Sequence, residues 1–364
     1  MKLRSFVGFV APSVLLMVAL LALPMVMTVL LSVRNCALQM ELVTVQQTGP
    51  FGSHAVTTQR SQVDANGKAV QVCRWVGLDY YRTVVGLDTA AANPASANPA
   101  SANPAPVSAS AATSAAPSAA AVATTAAAAA AAAADTPPEF LSALRFTLLY
   151  IVATTPFVLG GGLLLALAMN RVTQRLKAVF IAASLLPFII TPVVGALAIK
   201  WLFRDNGLVP HLLAGVGVQV FWMAQAWSAQ LLVILYGIWH VLPFAFIVFY
   251  AGLQGVPQDA LEAATIDGAT PWQKLRYVTL PHLMPLVVFV LMMHLMDAYR
   301  VFEPVMVLTQ GAFTTSVQYL TYHVLLQEDN PYKASAASVL TIIGIALLLI
   351  PLLRKTWREQ RQGN

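Results

Sequence analysis

Four titratable residues, His294, Asp297, Arg300 and Glu303, recur at three-residue steps inside an otherwise apolar stretch of a 364-residue chain. A helix would carry them down one face. Charge is costly in such surroundings, so the four either pair with one another or line a polar cavity and touch a solute. An ion-coupled transporter would use the same groups to carry protons. Tyr236, Trp239 and His240 form a second set, combining stacking faces with hydrogen-bonding edges. That chemistry suits a sugar, and it equally suits packing inside a helical bundle. Cys36 and Cys73, the two cysteines of the chain, lack metal-ligand spacing and form either a disulfide or two inert thiols. No Gly-x-x-x-x-Gly-Lys-Ser/Thr loop and no His-Glu-x-x-His or paired-cysteine metal pattern occurs. The chain is therefore expected to be no enzyme and to hold no cofactor or metal of its own.

The elements that position these residues belong in lipid. With 58% hydrophobic and 10% charged residues, the composition departs far from a soluble domain and predicts an all-α membrane protein. The excess of Lys and Arg over Asp and Glu is small and calls for no nucleic acid, because cations collect at cytoplasmic ends of membrane helices. Six transmembrane helices are predicted: residues 6–33, 141–169, 179–203, 230–253, 283–308 and 334–353. The first run is too long for a signal-peptide core and reads as a retained helix. Residues 208–228 are open between an interfacial segment and a partial span. Six crossings put Lys2 and Arg4, then Arg171, Arg175 and Lys177, then Lys274 and Arg276, and finally Arg354, Lys355, Arg358 and Arg361 on the cytoplasmic side. Both termini are then cytoplasmic.

Four regions follow from this arrangement. Residues 1–33 are the cytoplasmic tip and first helix, and 34–139 a long extracytoplasmic loop. Within that loop Arg34 to Val85 is polar, with alternation in Glu41-Leu-Val-Thr-Val-Gln and turn residues at Asn66-Gly67, and predicts a small hairpin-like element. Residues 89–138 are low-complexity, opening on a repeat at Asn93, Asn98 and Asn103, and cannot build a core. The alanine run 126–134 lacks the large side chains that drive membrane insertion. Residues 140–353 form the core with five helices, and 354–364 a cytoplasmic tail.

One polar island, Glu262-Ala-Ala-Thr-Ile-Asp-Gly268 through Val278, Leu280 and Pro281, interrupts the core between two apolar segments. An amphipathic helix starting near Pro257, a glycine break at Gly268 and a second short helix ending before Pro281 are predicted. The pattern Glu262-Ala263-Ala264, Gly268, Val278, Leu280 and Pro281 resembles the EAA loop of binding-protein-dependent ABC importer permeases; Val278 stands where the family has Ile. Asp267, Gly77-Leu-Asp-Tyr-Tyr81 and Trp201-Leu-Phe-Arg-Asp-Asn-Gly207 resemble its carbohydrate branch, the maltose and glycerol-phosphate type.

The resemblance implies an ABC importer permease fold whose loop, residues 254–282, seats as a coupling helix in an ATPase subunit. Glu262 would pair with a basic ATPase residue, Ala263 and Ala264 would permit close approach, and Gly268 would allow the bend. It also implies a second homologous permease, two ATPase subunits holding ATP and Mg, an extracytoplasmic solute-binding protein, and a sugar or related solute as cargo in the bacterial inner membrane. Two departures from the family pattern stand out. Asp88 and Phe140 are separated by the low-complexity stretch, which reads as an insertion, and the loop after the fifth span is Thr309-Gln-Gly-Ala-Phe313.

Overall fold

The computed structural model describes residues 3–38, 40–49, 52–62, 71–87, 139–170, 172–215, 217 and 220–362. Lys2, the Asn66-Gly67 turn, Asp88, the low-complexity segment 89–138 and Arg171 lie outside the described residues. The described chain divides into two compact units, residues 1–136 with 324–339, and residues 137–323 with 340–364.

The first unit contains helix α1 (Leu3–Ser32), four strands and helix α2 (Asp79–Val85). Strands β1 (Arg34–Leu38) and β4 (Gln71–Trp75) pair antiparallel, as do β2 (Met40–Gly49) and β3 (Gly52–Ser61). The fold is thus mostly helical rather than all-α: the β-leaning alternation that predicted a small hairpin-like element forms a long antiparallel pair, β2 with β3, and a second pair stands beside it in sequence. Register sets Cys36 opposite Cys73, and the two are joined by a disulfide. Two pairs further, the Arg34 guanidinium lies 4.5 Å from the centre of the facing Trp75 ring. Tyr332 donates to the Cys36 carbonyl at 2.9 Å and stacks on Tyr80, so residues distant in sequence close this unit.

The second unit is a helical body. Helices α3 (Glu139–Met169), α7 (Ala226–Gln254) and α9 (Pro271–Tyr299) are long and apolar enough to cross a membrane, as is the Pro331–Arg354 part of α11 (Pro331–Gln362), whose residues from 340 on belong to this unit. Their outward faces are apolar too, with Val152, Phe157 and Leu164 of α3 exposed, as expected of helices solvated by lipid. Inward, Thr147, Tyr150, Thr154, Val158, Gly162 and Ala166 recur at helical spacing on the buried face of α3. Gly162 lets α3 approach α7 closely, since a methyl there would meet Ala245 at 2.7 Å. Two apolar clusters result, one around Tyr150, Leu232, Tyr236 and Tyr299, the other around Val158, Phe246, Leu283 and Val290.

Two predicted spans are built differently from expectation. The stretch 179–203 is not one helix: α4 (Gln174–Ile189) and α5 (Pro192–Phe203) meet at a sharp break, and the apolar pair Arg175–Ile189 and Pro192–Ala214 is bent by 95°. Pro192 starts α5, and the ring of a proline drives the preceding residue out of helical conformation, here Thr191 at φ −59, ψ 141. Helix α6 (Leu208–Ala214) and turns fill the segment before α7. The expected fifth span, 283–308, ends as an α-helix at Tyr299; a π-type turn, Val305–Thr309, follows, and α10 (Val317–Leu326) leads on to α11.

Candidate functional site

The break between α4 and α5 strands backbone carbonyls that a continuous helix would have satisfied. Helix α7 supplies a missing donor: His240 Nδ1 lies 2.9 Å from the Pro187 carbonyl in the last turn of α4, and the Tyr236 hydroxyl donates a further bond, 2.7 Å long, to the Pro192 carbonyl in the first turn of α5. A carbonyl only accepts, so His240 carries its proton on Nδ1. The Tyr236 and His240 rings stack at 5.6 Å and 10°. Both residues thereby hold the broken helix in place and line a cavity of about 390 Å³ beside it.

The far wall of that cavity comes from α9 and the chain beyond it. His294, Asp297, Arg300 and Glu303 all line it, but they do not share one helical face. Helix α9 ends at Tyr299; Arg300 is its C-cap at φ −97, ψ 21, and Glu303 lies in the following segment. A change of chain direction gathers the four. Among the described residues, no ion pair joins Asp297, Arg300 or Glu303, so the self-pairing reading of the spacing is not what the structure shows.

His294 is buried and tied at one end. Thr154 donates its hydroxyl to the Tyr150 carbonyl at 2.8 Å, leaving its oxygen to accept from His294 Nε2 at 3.1 Å. The proton then sits on Nε2 and Nδ1 is a bare acceptor, one of three buried polar side-chain atoms without a partner among the described residues.

Trp239 is not part of the cavity wall. It stands 6.0 Å from Tyr236 on a half-exposed face, because the lining positions of α7 are Tyr236, Gly237, His240, Val241 and Phe244, and residue 239 is turned away from that stripe. Tyr150, Phe188 and Met293 are lining residues that spacing alone did not single out; each is an apolar or aromatic residue in an apolar helix, with no pattern to distinguish it.

Lys200, a lone cation in α5, also escaped attention. Its ammonium donates to the Val307 carbonyl at 2.7 Å, capping the π-type turn that ends at Gln310, where φ turns to 53. Replacing Lys200 with Met is expected to leave that carbonyl without a donor and cost about 1–3 kcal/mol, read as a lower melting temperature in detergent, with Arg restoring part of the loss.

The polar island forms a tight elbow. Helix α8 (Gln258–Ile266) ends at Asp267, and Gly268 takes φ +75, a conformation that glycine adopts without strain. Ala269 donates to the Ala264 carbonyl at 2.9 Å to close the end of α8. Thr270 and Gln273 form a capping box that starts α9 with Pro271 in its first turn. Lys274 donates to the Thr265 hydroxyl at 2.8 Å, clamping the two arms. Glu262, Ala263, Asp267 and Gly268 are exposed and Ala264 is half-buried, beside exposed Ile266, Trp272 and Tyr277.

The second arm does not stop before Pro281 as expected. It runs on as α9 through a π-type turn, Leu275–Thr279, with Leu280 half-buried behind it. The wide turn accommodates a proline that would otherwise clash with the carbonyl four residues back. One helix therefore carries Pro281 of the elbow and, about 20 Å along at 1.5 Å per residue, His294 of the cavity.

Comparison with known proteins agrees with this architecture. The arabinooligosaccharides transport system permease protein of Halalkalibacterium halodurans is 30% identical over 221 residues, covering 58% of this chain and 68% of its own. The trehalose/maltose transport system permease protein of Thermococcus litoralis is 33% identical over 200 residues, covering 53% of this chain and 66% of its own. The crystal structure of a bacterial ABC transporter importing the acidic polysaccharide alginate matches with TM-score 0.57 at 25% identity, over 61% of this chain and 80% of that one. Residues 126–362 match the model of the family described as binding-protein-dependent transport system inner membrane components. The chain belongs to that family: it is a multi-pass membrane protein built on the ABC importer permease fold.

Proposed function

We propose that this chain is the permease subunit of an ATP-driven importer that moves a sugar or related solute, such as an oligosaccharide, polyol or sugar derivative, into the cytoplasm. The observation that carries the reading is the continuity of α9, which joins the clamped, exposed elbow to the wall of a polar cavity. Movement imposed on the elbow reaches the cavity through one rigid element. Glu262, Ala263, Ala264, Asp267, Gly268, Leu280 and Pro281 are the coupling residues in this reading. Tyr236, His240, His294, Asp297, Arg300 and Glu303 line the solute path. Relatives named for arabinooligosaccharide and trehalose/maltose transport support a saccharide as cargo.

The topology proposed is six spans: α1, α3, the bent pair α4 and α5 as one, α7, α9 and α11. Both termini and the elbow lie in the cytoplasm and the disulfide-bearing strands outside, in a bacterial inner membrane. Residues 89–138 are an insertion in the outside loop, where added length carries a small entropic cost. ATP and Mg bind to two ATPase subunits, and a second homologous permease and an extracytoplasmic binding protein complete the importer.

Purification of the tagged chain from its native host tests this reading. It is expected to bring down an ATPase and a second permease, and solute uptake is expected to survive collapse of the proton gradient. Uptake lost with the gradient and unaffected by deletion of the ATPase would overturn it in favour of an ion-coupled transporter using His294, Asp297, Arg300 and Glu303.

A further inference from the structure

We infer that the cavity selects its solute by charge, admitting uncharged saccharides and rejecting acidic ones such as uronates and sugar phosphates. The inference deepens the saccharide reading above and rests on it. Fold alone does not decide the point, since the similar solved importer carries an acidic polysaccharide.

The charge inventory of the cavity is unequal. Asp297 and Glu303 bring two carboxylates, Arg300 one guanidinium, and none is consumed in an ion pair among the described residues. The other cation in the neighbourhood, Lys200, is spent on the Val307 carbonyl and does not line the cavity. The wall therefore carries a net charge of about −1 between apolar surfaces such as Phe188, Val241, Phe244 and Met296, which concentrate its field.

The hydrogen-bonding inventory is unequal in the same sense. Asp297 and Glu303 accept; Arg300 is the one charged donor on the wall. Saccharide hydroxyls donate as well as accept, so an uncharged sugar satisfies this wall, and hydroxyl-to-carboxylate bonds are the stronger, charge-assisted kind. A uronate or phosphate oxygen brings only further acceptors. It would trade water for two repelling carboxylates and a single guanidinium.

A single thiol on the wall reads the field without knowledge of the cargo. Met293 lines the cavity and, in the assembled importer in nanodiscs at pH 8, Met293→Cys is to be titrated with cationic trimethylammonium-ethyl and anionic sulfonato-ethyl methanethiosulfonates. Relative to their rates on free mercaptoethanol, the cationic reagent is expected to be favoured at least tenfold. Asp297→Asn with Glu303→Gln should invert that preference, and Arg300→Gln should increase it; opposite directions separate charge from damage. The same double variant should bind trigalacturonate at least tenfold more tightly than the wild-type importer does. Equal corrected rates for the two reagents, or wild-type binding of trigalacturonate as tight as the double variant's, overturns the inference. An importer that takes up no saccharide overturns the proposed cargo instead, a result the reagent ratio does not depend on.

Discussion

Replacing Gly237 with alanine is expected to destabilise the protein by about 1–3 kcal/mol and to cut uptake at least tenfold, the cost of forcing extra volume into a packed site. A methyl at this position would run into the hydroxyl oxygen of Tyr150 and come within 2.7 Å of Cζ and 3.0 Å of Cε2 of its ring. The ring has no room to yield. Tyr150 is 4% exposed and packed among Phe146, Leu232 and Tyr236 in the same cluster. The helices themselves must then separate, and because Tyr150 and Gly237 both line the cavity, its wall shifts with them. Thermal melting in detergent and initial uptake rates measure the two effects. Adding Tyr150→Phe removes the first atom in the way and should recover part of the loss, a coupling that distant sites do not show. Gly160→Ala is the control: nothing lies within 4 Å of the added methyl, and a helix interior prefers alanine by up to about 1 kcal/mol. A Gly237 variant that melts and transports like the control would show that α3 and α7 are not held this closely.

The contrast between these two glycines shows what was legible in the sequence. Both sit in apolar helices, and only the partner across the interface tells them apart. The elbow could be read because its signals are local: the helix start near Pro257 and the break at Gly268 are chemistry of adjacent residues, and both appear as expected. The continuation past Pro281 could not, since a π-type turn has no sequence signature of its own. The cavity residues were half legible. Charges in an apolar run announce themselves, so His294, Asp297, Arg300 and Glu303 were found, but their common face was inferred from helical spacing that ends at Tyr299. Tyr236 and His240 were found for aromatic character, whereas the Pro187 carbonyl that His240 meets needs a donor because α4 breaks from α5, a tertiary fact. The strands of the first unit show alternation, yet which strands pair, and hence that Cys36 meets Cys73, depends on register between distant segments.

Glu262→Ala is expected to lower uptake at least a hundredfold while leaving the melting temperature unchanged. The separation of the two readouts follows from where the side chain stands. Glu262 is exposed on α8, and among the described residues its carboxylate makes no hydrogen bond or ion pair, so the fold loses nothing when it is removed. Every stabilising contact of the elbow is made by others: Lys274 to Thr265, Thr270 with Gln273, and Ala269 to Ala264. In the proposed coupling role this exposed carboxylate, flanked by the small Ala263 and the exposed apolar Ile266 and Trp272, would meet a partner cation on docking. Losing one member of an ion pair that becomes buried on docking commonly costs 2–5 kcal/mol, because the partner cation is left unpaired. Near 3 kcal/mol that is about a hundredfold in affinity. Glu262→Gln should fall between the two, retaining hydrogen bonds without charge, and Lys274→Met should show the opposite pattern: a looser elbow and a lower melting temperature, with the docking carboxylate intact. Pull-down of the ATPase by each variant, set beside its melting curve, is the deciding measurement. Undiminished ATPase binding and uptake in Glu262→Ala would remove the elbow from its coupling role.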